Sequence, residues 1–188
     1  MDHYLDIRLR ADPEFPPHQL LSAVYTKLHR ALVQLGSTDI GVSFPEHDLH
    51  KPSLGSLLRL HGPDAALQAL MATGWLNGLR DYLQLRPIHR SPDGVPYRRV
   101  SRVQAKSGVE RMRRRAMRRH GIDEATAAAR IPDQAAKQLA LPFVQLGSAS
   151  TGQPNFLLFI RHGELQEQPT HGPFNSYGLS GTATVPWF

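Results

Sequence analysis

MDHYLDIRLRADPEFPPHQLLSAVYTKLHRALVQLG, residues 1–36, sets out a strand, a break and a helix in that order. Leu5, Ile7 and Leu9 alternate with Asp6, Arg8 and Arg10, the period of two expected of a strand with one buried face. Pro13, Pro16 and Pro17 interrupt the chain. From His18 to Leu35 the apolar residues Leu21, Val24, Leu28, Leu32 and Leu35 recur at helical spacing, and Gly36 stands where a left-handed C-terminal cap belongs.

The signals continue outward from that unit. Ile40, Val42 and Phe44 predict a second strand, followed by a polar loop with Pro45 and Pro52. Leu58 and Leu60 suggest a third strand, and Pro63 and Asp64 open a second helix with Leu67, Leu70 and Met71 as its core side. A short element near Leu76–Leu79 leads to a fourth strand around Tyr82–Arg86. Strand, helix, strand, strand, helix, strand is the split βαβ order of ferredoxin-like domains, shared with RNA-recognition modules. Residues 87–96, PIHRSPDGVP, hold three prolines and a glycine and mark a boundary. The reading is an α+β protein: a ferredoxin-like (RRM-like) domain over 1–94, then an α/β half over 95–188 that carries an arginine-rich helix.

In that second half Tyr97–Gln104 reads as a strand, with Arg102 and Gln104 on one face. Ser107 and Glu110 have capping-box spacing, and Gly121 closes the helix they begin. Asp123 starts an alanine-rich helix that stops before Pro132, and a short helical stretch reaches Leu141. Phe143–Leu146 and Phe156–Ile160 read as strands around the polar turn Gly147–Asn155. The tail from His162 to Phe188 is Gly-rich and ends in an apolar Val-Pro-Trp-Phe expected to pack down.

Charge is concentrated on one element. Arg98–Arg119 contains ten Lys/Arg against the single acid Glu110, a net +9, whereas all 188 residues total +6. The rest of the chain is therefore about −3, and the basic segment reads as a dedicated polyanion site, nucleic acid first. At 100° per residue, Arg111, Arg114, Arg115, Arg118 and Arg119 fall within about 140° of arc, opposite Val109, Met112 and Ala116. A solvated structural helix would mix signs to relieve like-charge repulsion. Arg102 suits guanine and Gln104 suits adenine, although an exposed strand face explains that pair equally well. With no cysteine, disulfides, thiolate metal sites and cysteine nucleophiles are excluded. No apolar run approaches membrane-spanning length and the N-terminus lacks a signal-peptide stretch, so a cytoplasmic protein without membrane association is expected.

Three features invite a chemical role. The core arc of the His29 helix runs from Ala31 through Leu28, Leu21 and Leu32 to Tyr25, and His29 lies about 40° beyond its edge, at the boundary between core and solvent. A partly exposed helical histidine is the plain alternative. Gly147–Gln153 places small hydroxyl residues in a turn that suits a phosphate, or is simply a polar hairpin; it has no Walker lysine. His47 and His50 with Glu46 and Asp48 occupy a polar loop without further matched ligands, and no metal or other cofactor is assigned.

Segments spanning nearly the whole chain resemble one family: the opening MDHYLDIRLR with DPEFPP, KLH ending at His29, IGVSFP, YRRVSRVQAKS followed by ERMRRRAMRRH, RIPD, LPFVQLGSASTGQ, FIRHG, YGLS and the terminal VPWF. In order, they are similar to the Csy-type CRISPR-associated endoribonuclease of type I-F systems. The resemblance implies binding of the CRISPR repeat hairpin and metal-independent cleavage of precursor crRNA at the 3′ base of the stem. The 2′-OH would be the nucleophile and a 2′,3′-cyclic phosphate the product. It implies His29 as general base, Ser148 holding the hydroxyl, and Tyr177 orienting the histidine. It implies an RNA-binding set of Arg102, Gln104, Arg114, Arg115, Arg118, Arg119, His120 and Phe156, the last stacking under the terminal base pair; Arg111 on the same cationic arc and Ser150 of the hydroxyl-rich turn are expected to join it. The implied partners are the crRNA, retained after cleavage, and other subunits of the type I-F interference complex. Gln153–Phe156 and Gly181–Thr184 depart from the family pattern. A non-catalytic RNA-hairpin module and, more remotely, a DNA-binding regulator remain the competing readings.

Overall fold

The alternating stretch at the N-terminus forms β1 (His3–Leu9), the centre of the first sheet. The computed structural model describes residues 1–104, 109–131, 140–147 and 156–188. β1 is followed by α1 (Pro17–Leu35), β2 (Gly41–Ser43), β3 (Leu57–Gly62), α2 (Asp64–Ala72) and, after a 3-10 turn at Arg80–Tyr82, β4 (Leu83–Leu85). The sheet order is β2-β3-β1-β4, and the short β5 (His89–Arg90) also pairs with β1. Its described pairings are antiparallel. α1 ends as expected: Gly36 takes φ 60° and its N–H reaches the carbonyls of Leu32 and Val33.

One expectation for β1 needs correction. Its charged alternate face was read as solvent-facing, yet Asp6 is only 7% exposed. Arg59 on β3 lies directly across from it, and Arg59 Nε and Nη2 donate to the two Asp6 carboxylate oxygens at 2.7 and 3.0 Å. Arg59 Nη1 also donates to the Phe188 oxygen at 2.6 Å, while the guanidinium lies 3.9 Å from the Phe188 ring centroid. The chain's end thus covers this face, and the charges tolerate burial because each oxygen has its donor.

A second, four-stranded sheet has the order β7-β8-β6-β9, from β6 (Tyr97–Val103), β7 (Phe143–Leu146), β8 (Phe156–Gln166) and β9 (Val185–Pro186). β8 runs past Ile160 through residues read as tail. Gly163 and Glu164 sit opposite the single residue Arg99, because the register shifts between Arg98 and Val100. The glycine that suggested a loop is instead a bulge in a continuing strand. The apolar C-terminus packs down as β9 against Tyr97 and Arg98.

Met1–Val103 with Leu141–Phe188 form one compact unit, and Gln104–Ala140 another. The sequence division at 94/95 follows composition; both sheets lie in the first unit and share one core. α1 packs on β1 and β7, burying Leu20, Leu21, Val24, Tyr25, Leu28, Ala31 and Leu32. Val42, Val100, Val144, Leu158 and Val185 from the two sheets, with Phe174 from the segment before β9, complete the core. The other unit holds α3 (Val109–His120) packed on α4 (Glu124–Arg130). Gly121 (φ 60°) ends α3, its N–H donating to Met117 O at 2.9 Å, and Asp123 caps α4 by accepting from Thr126 N at 2.8 Å. Ser107 of the expected capping box and the expected helical stretch before Leu141 lie outside the described residues, except for its final residues. Among the described residues no helix is long and apolar enough to cross a membrane.

Candidate nucleic-acid cleavage site

Tyr25 and His29 are one helical turn apart on α1, so both reach the same neighbour. That neighbour is the turn Asn175–Leu179. Tyr25 is fully buried and its hydroxyl donates to the Tyr177 carbonyl at 2.6 Å. Burial, with the Tyr177 phenol nearby, pushes the Tyr25 phenol well above its ordinary range, so it remains a protonated donor. His29 is half-buried, and its Nδ1 lies 2.8 Å from the Ser176 carbonyl oxygen. A carbonyl only accepts, so Nδ1 carries the proton and donates it. In the neutral ring the lone pair then resides on Nε2. The Tyr177 ring stacks on the imidazole with centroids 4.0 Å apart and planes 10° from parallel.

Local chemistry explains the turn. Asn175 Oδ1 accepts from Tyr177 N at 2.9 Å and Leu179 N at 3.2 Å, an Asx arrangement. Asn175 N donates to Leu179 O at 2.9 Å, and Gly178 N donates to Asn175 O at 2.8 Å. Gly178 takes φ 68°, and a Cβ there would meet Val42 Cγ1 at 2.6 Å. Only glycine fits both the conformation and the space. Val42 N donates to Gly178 O at 2.9 Å, and Ser180 N donates to Val100 O at 3.1 Å. The turn is thereby stitched to β2 of one sheet and β6 of the other.

Arg102, exposed near the end of β6, completes the group. Its guanidinium carbon lies 5.9 Å from the Tyr177 ring centroid and 5.8 Å from that of Phe156, the first residue of β8. His29, Tyr177, Arg102 and Phe156 are therefore brought together from four distant stretches. Gln104 follows β6 and groups with the α3–α4 unit. There Arg114, Arg115, Arg118, Arg119 and His120 are exposed, while Met112, Arg113, Ala116 and Met117 are half-buried. Arg113 Nε donates to Ile131 O at 2.9 Å. Ser148, Ser150 and the side chain of Arg111 lie outside the described residues. Sequence reading treated Tyr25 only as core and missed Asn175 and the Ser176 carbonyl. The i, i+4 spacing of Tyr25 and His29 and the Asn-Ser-Tyr-Gly turn signal were the available clues.

Other polar clusters lead elsewhere. Glu46 pairs with Arg8 at 2.7 Å, Asp48 accepts from His50 N at 2.8 Å, and His47 stacks on His162 at 3.8 Å, so the four loop residues do not converge. Among the described residues no group of three or more His, Asp or Glu is placed to hold a metal. Ser43 Oγ and His61 Nε2 are 2.8 Å apart, the elements of a nucleophile and base, but they are 1% and 0% exposed and closed to substrate.

A family model described as CRISPR-associated protein (Cas_Csy4) matches residues 4–188. Over all 188 residues, and the full length of both chains, this chain is 57% identical to a protein of Pseudomonas aeruginosa strain UCBPP-PA14 named CRISPR-associated endonuclease Cas6/Csy4. It is 48% identical, again over the full length of both chains, to a protein of the same name from Escherichia coli strain UTI89.

Proposed function

Since the chain belongs to the Cas_Csy4 family of CRISPR-associated proteins, we propose that it is the endoribonuclease that processes precursor crRNA at the repeat hairpin. His29 removes the proton of the 2′-OH before the cut. The resulting oxyanion attacks the adjacent phosphorus in line, the bond to the 5′-oxygen breaks, that oxygen takes up a proton and leaves as the 5′-hydroxyl of the downstream strand, and a 2′,3′-cyclic phosphate is left. Ser148 holds the hydroxyl in place and Tyr177 orients His29. Arg102 and Gln104 read guanine and adenine near the stem base, Phe156 stacks under the terminal pair, and Ser150 joins the RNA contacts. The face of α3 bearing Arg111, Arg114, Arg115, Arg118, Arg119 and His120 grips the hairpin phosphates.

The observation that carries this reading is the tethering of His29. With Nδ1 donating to Ser176 O, the imidazole keeps an accepting nitrogen for a proton while Tyr177 fixes its plane. An internal nucleophile needs little else. A base contributes about 10²–10⁴-fold and in-line positioning much of the remainder, so no metal is required. The strand order β2-β3-β1-β4 supports a ferredoxin-like first domain over 1–94, with the RNA-gripping half over 95–188. After cutting, the protein stays on its product in the cytoplasm as a subunit of the type I-F interference complex.

The test is incubation with the cognate repeat hairpin in EDTA. Cleavage with a cyclic-phosphate end is expected, and a 2′-deoxy substitution at the cut should abolish it. His29→Ala should bind the hairpin and not cut it; undiminished cutting by this variant would sink the assignment of the base. Binding without any cyclic phosphate would leave only a hairpin-binding module.

A further inference from the structure

The stack of Tyr177 on His29 fixes the plane of the imidazole but not which nitrogen bears the proton. A neutral histidine in water exchanges both tautomers, and only one leaves Nε2 bare. The choice here is made by a backbone atom, the Ser176 carbonyl at 2.8 Å from Nδ1. A backbone acceptor has no side chain of its own to aim it, so the turn must hold it. Two side chains do so from opposite ends. Asn175 Oδ1 gathers the N–H groups of Tyr177 and Leu179. Tyr25, rooted in the core beside Phe44 with ring centroids 5.9 Å apart, donates its hydroxyl to the carbonyl of the residue after Ser176. Because Tyr25 and His29 share α1, this hydrogen bond ties the turn to the helix that carries the imidazole.

We infer that Asn175 and Tyr25 are positioning residues that hold His29 in its Nδ1–H tautomer, keeping Nε2 as the proton acceptor. The inference rests on the reading of His29 as the base. Neither residue touches the reacting atoms: Asn175 acts through the Ser176 carbonyl, and Tyr25 through the Tyr177 carbonyl. Gly178, with φ 68° and Val42 against its α-carbon, supplies the sharp bend on which both tethers depend.

The experiment uses the full chain with ¹⁵N-labelled histidine and reads the His29 ring nitrogens without RNA, beside single-turnover cleavage and hairpin affinity. In the wild type Nδ1 should be protonated and Nε2 bare. Asn175→Ala should mix the two tautomers and slow cleavage by about tenfold, the scale of one lost neutral hydrogen bond, with affinity unchanged. Asn175 is at the surface, so this variant should fold. Asn175→Asp, which keeps the accepting oxygen, should restore both the spectrum and the rate. Tyr25→Phe should shift the tautomers in the same direction as Asn175→Ala. A single Nδ1–H tautomer persisting in Asn175→Ala would overturn the inference, as would a rate loss that follows a loss of affinity. Should His29→Ala cut at the wild-type rate, the base assignment fails instead, and the RNA-free spectra still decide the tether.

Discussion

Replacing Gly178 by alanine asks one residue to violate two constraints at once. The first is conformational: φ is 68°, and an L-residue with a Cβ costs about 1–2 kcal/mol there. The second is spatial. An added Cβ would stand 2.6 Å from Val42 Cγ1, and Val42 is fully buried on β2. Its N–H is committed to the Gly178 carbonyl at 2.9 Å, so β2 cannot retreat without breaking that bond. Overpacking of this kind costs about 1–3 kcal/mol, for a sum of about 2–5 kcal/mol. In a chain of this length each kcal/mol lowers Tm by about 2–4 °C, so a drop of about 4–20 °C is expected. Gly36→Ala is the control, since Gly36 also has positive φ (60°) but nothing within 4 Å of the added atom. Reduced entropy of the unfolded chain favours both variants alike and cancels in the comparison. Thermal unfolding of the pair therefore isolates the clash. If Gly178→Ala melts no lower than Gly36→Ala, the turn is not wedged against β2 and the account of how Tyr177 is placed is wrong.

Two further outcomes follow from buried charge chemistry. Burial first, then the neighbouring His47 and Arg98, depress His162 to about 3, and burial with the Arg59 charge depresses His61 to about 3. Both lie below the unfolded value of about 6.5, so the unfolded chain binds more protons between those limits. Stability should be full above pH 6.5 and fall as pH drops, with about 1.4 kcal/mol per pH unit for each histidine. Denaturant titrations between pH 6.5 and 4.5 should show a slope of that sign, to which His47, also depressed by burial, contributes, and His162→Phe should reduce it; an unchanged slope would contradict the assignment. Asp6→Ala strands the Arg59 guanidinium in a buried site and should cost about 3–5 kcal/mol. The double variant Asp6→Leu/Arg59→Met should recover much of that loss in urea unfolding, and no recovery would show that the penalty is not an unpaired charge.

Regular elements were legible where their cause is local. The αL cap at Gly36, the Asp123 cap and the extended run of β1 depend on neighbours in sequence, and each formed where read. The failures share a different origin. Asp6 looked solvent-facing because its partner Arg59 lies 53 positions away and the cover, Phe188, farther still. The residues from His162 read as tail because the bulge that lets β8 continue is defined by the opposing strand, here at Arg99. The site divides in the same way. His29 was visible as a boundary residue from α1 alone, and the role proposed for it rests on resemblance. Its Nδ1 is met by a backbone carbonyl 147 positions away, marked in the sequence only by the turn signal Asn-Ser-Tyr-Gly.

If the α3 arginines grip RNA and His29 cuts it, that contrast accounts for where the chain places them. Attraction between an arginine and a phosphate falls as the inverse of distance, so moving from 4 to 5 Å loses only about a fifth of it. A hydrogen bond displaced by the same ångström is lost. Phosphate binding thus tolerates imprecise placement, whereas proton transfer to Nε2 does not. The exposed arginines of α3 belong to the smaller unit, Gln104–Ala140. His29, Tyr177, Arg102 and Phe156 belong to the larger one, where both sheets and α1 share a core and the turn at Asn175–Leu179 is bonded to β2 and β6. If His29 is the base, precision has been placed where packing can enforce it. Loosening that turn should therefore cost cleavage before it costs affinity, because the proposed phosphate-binding arginines of α3 belong to the other unit.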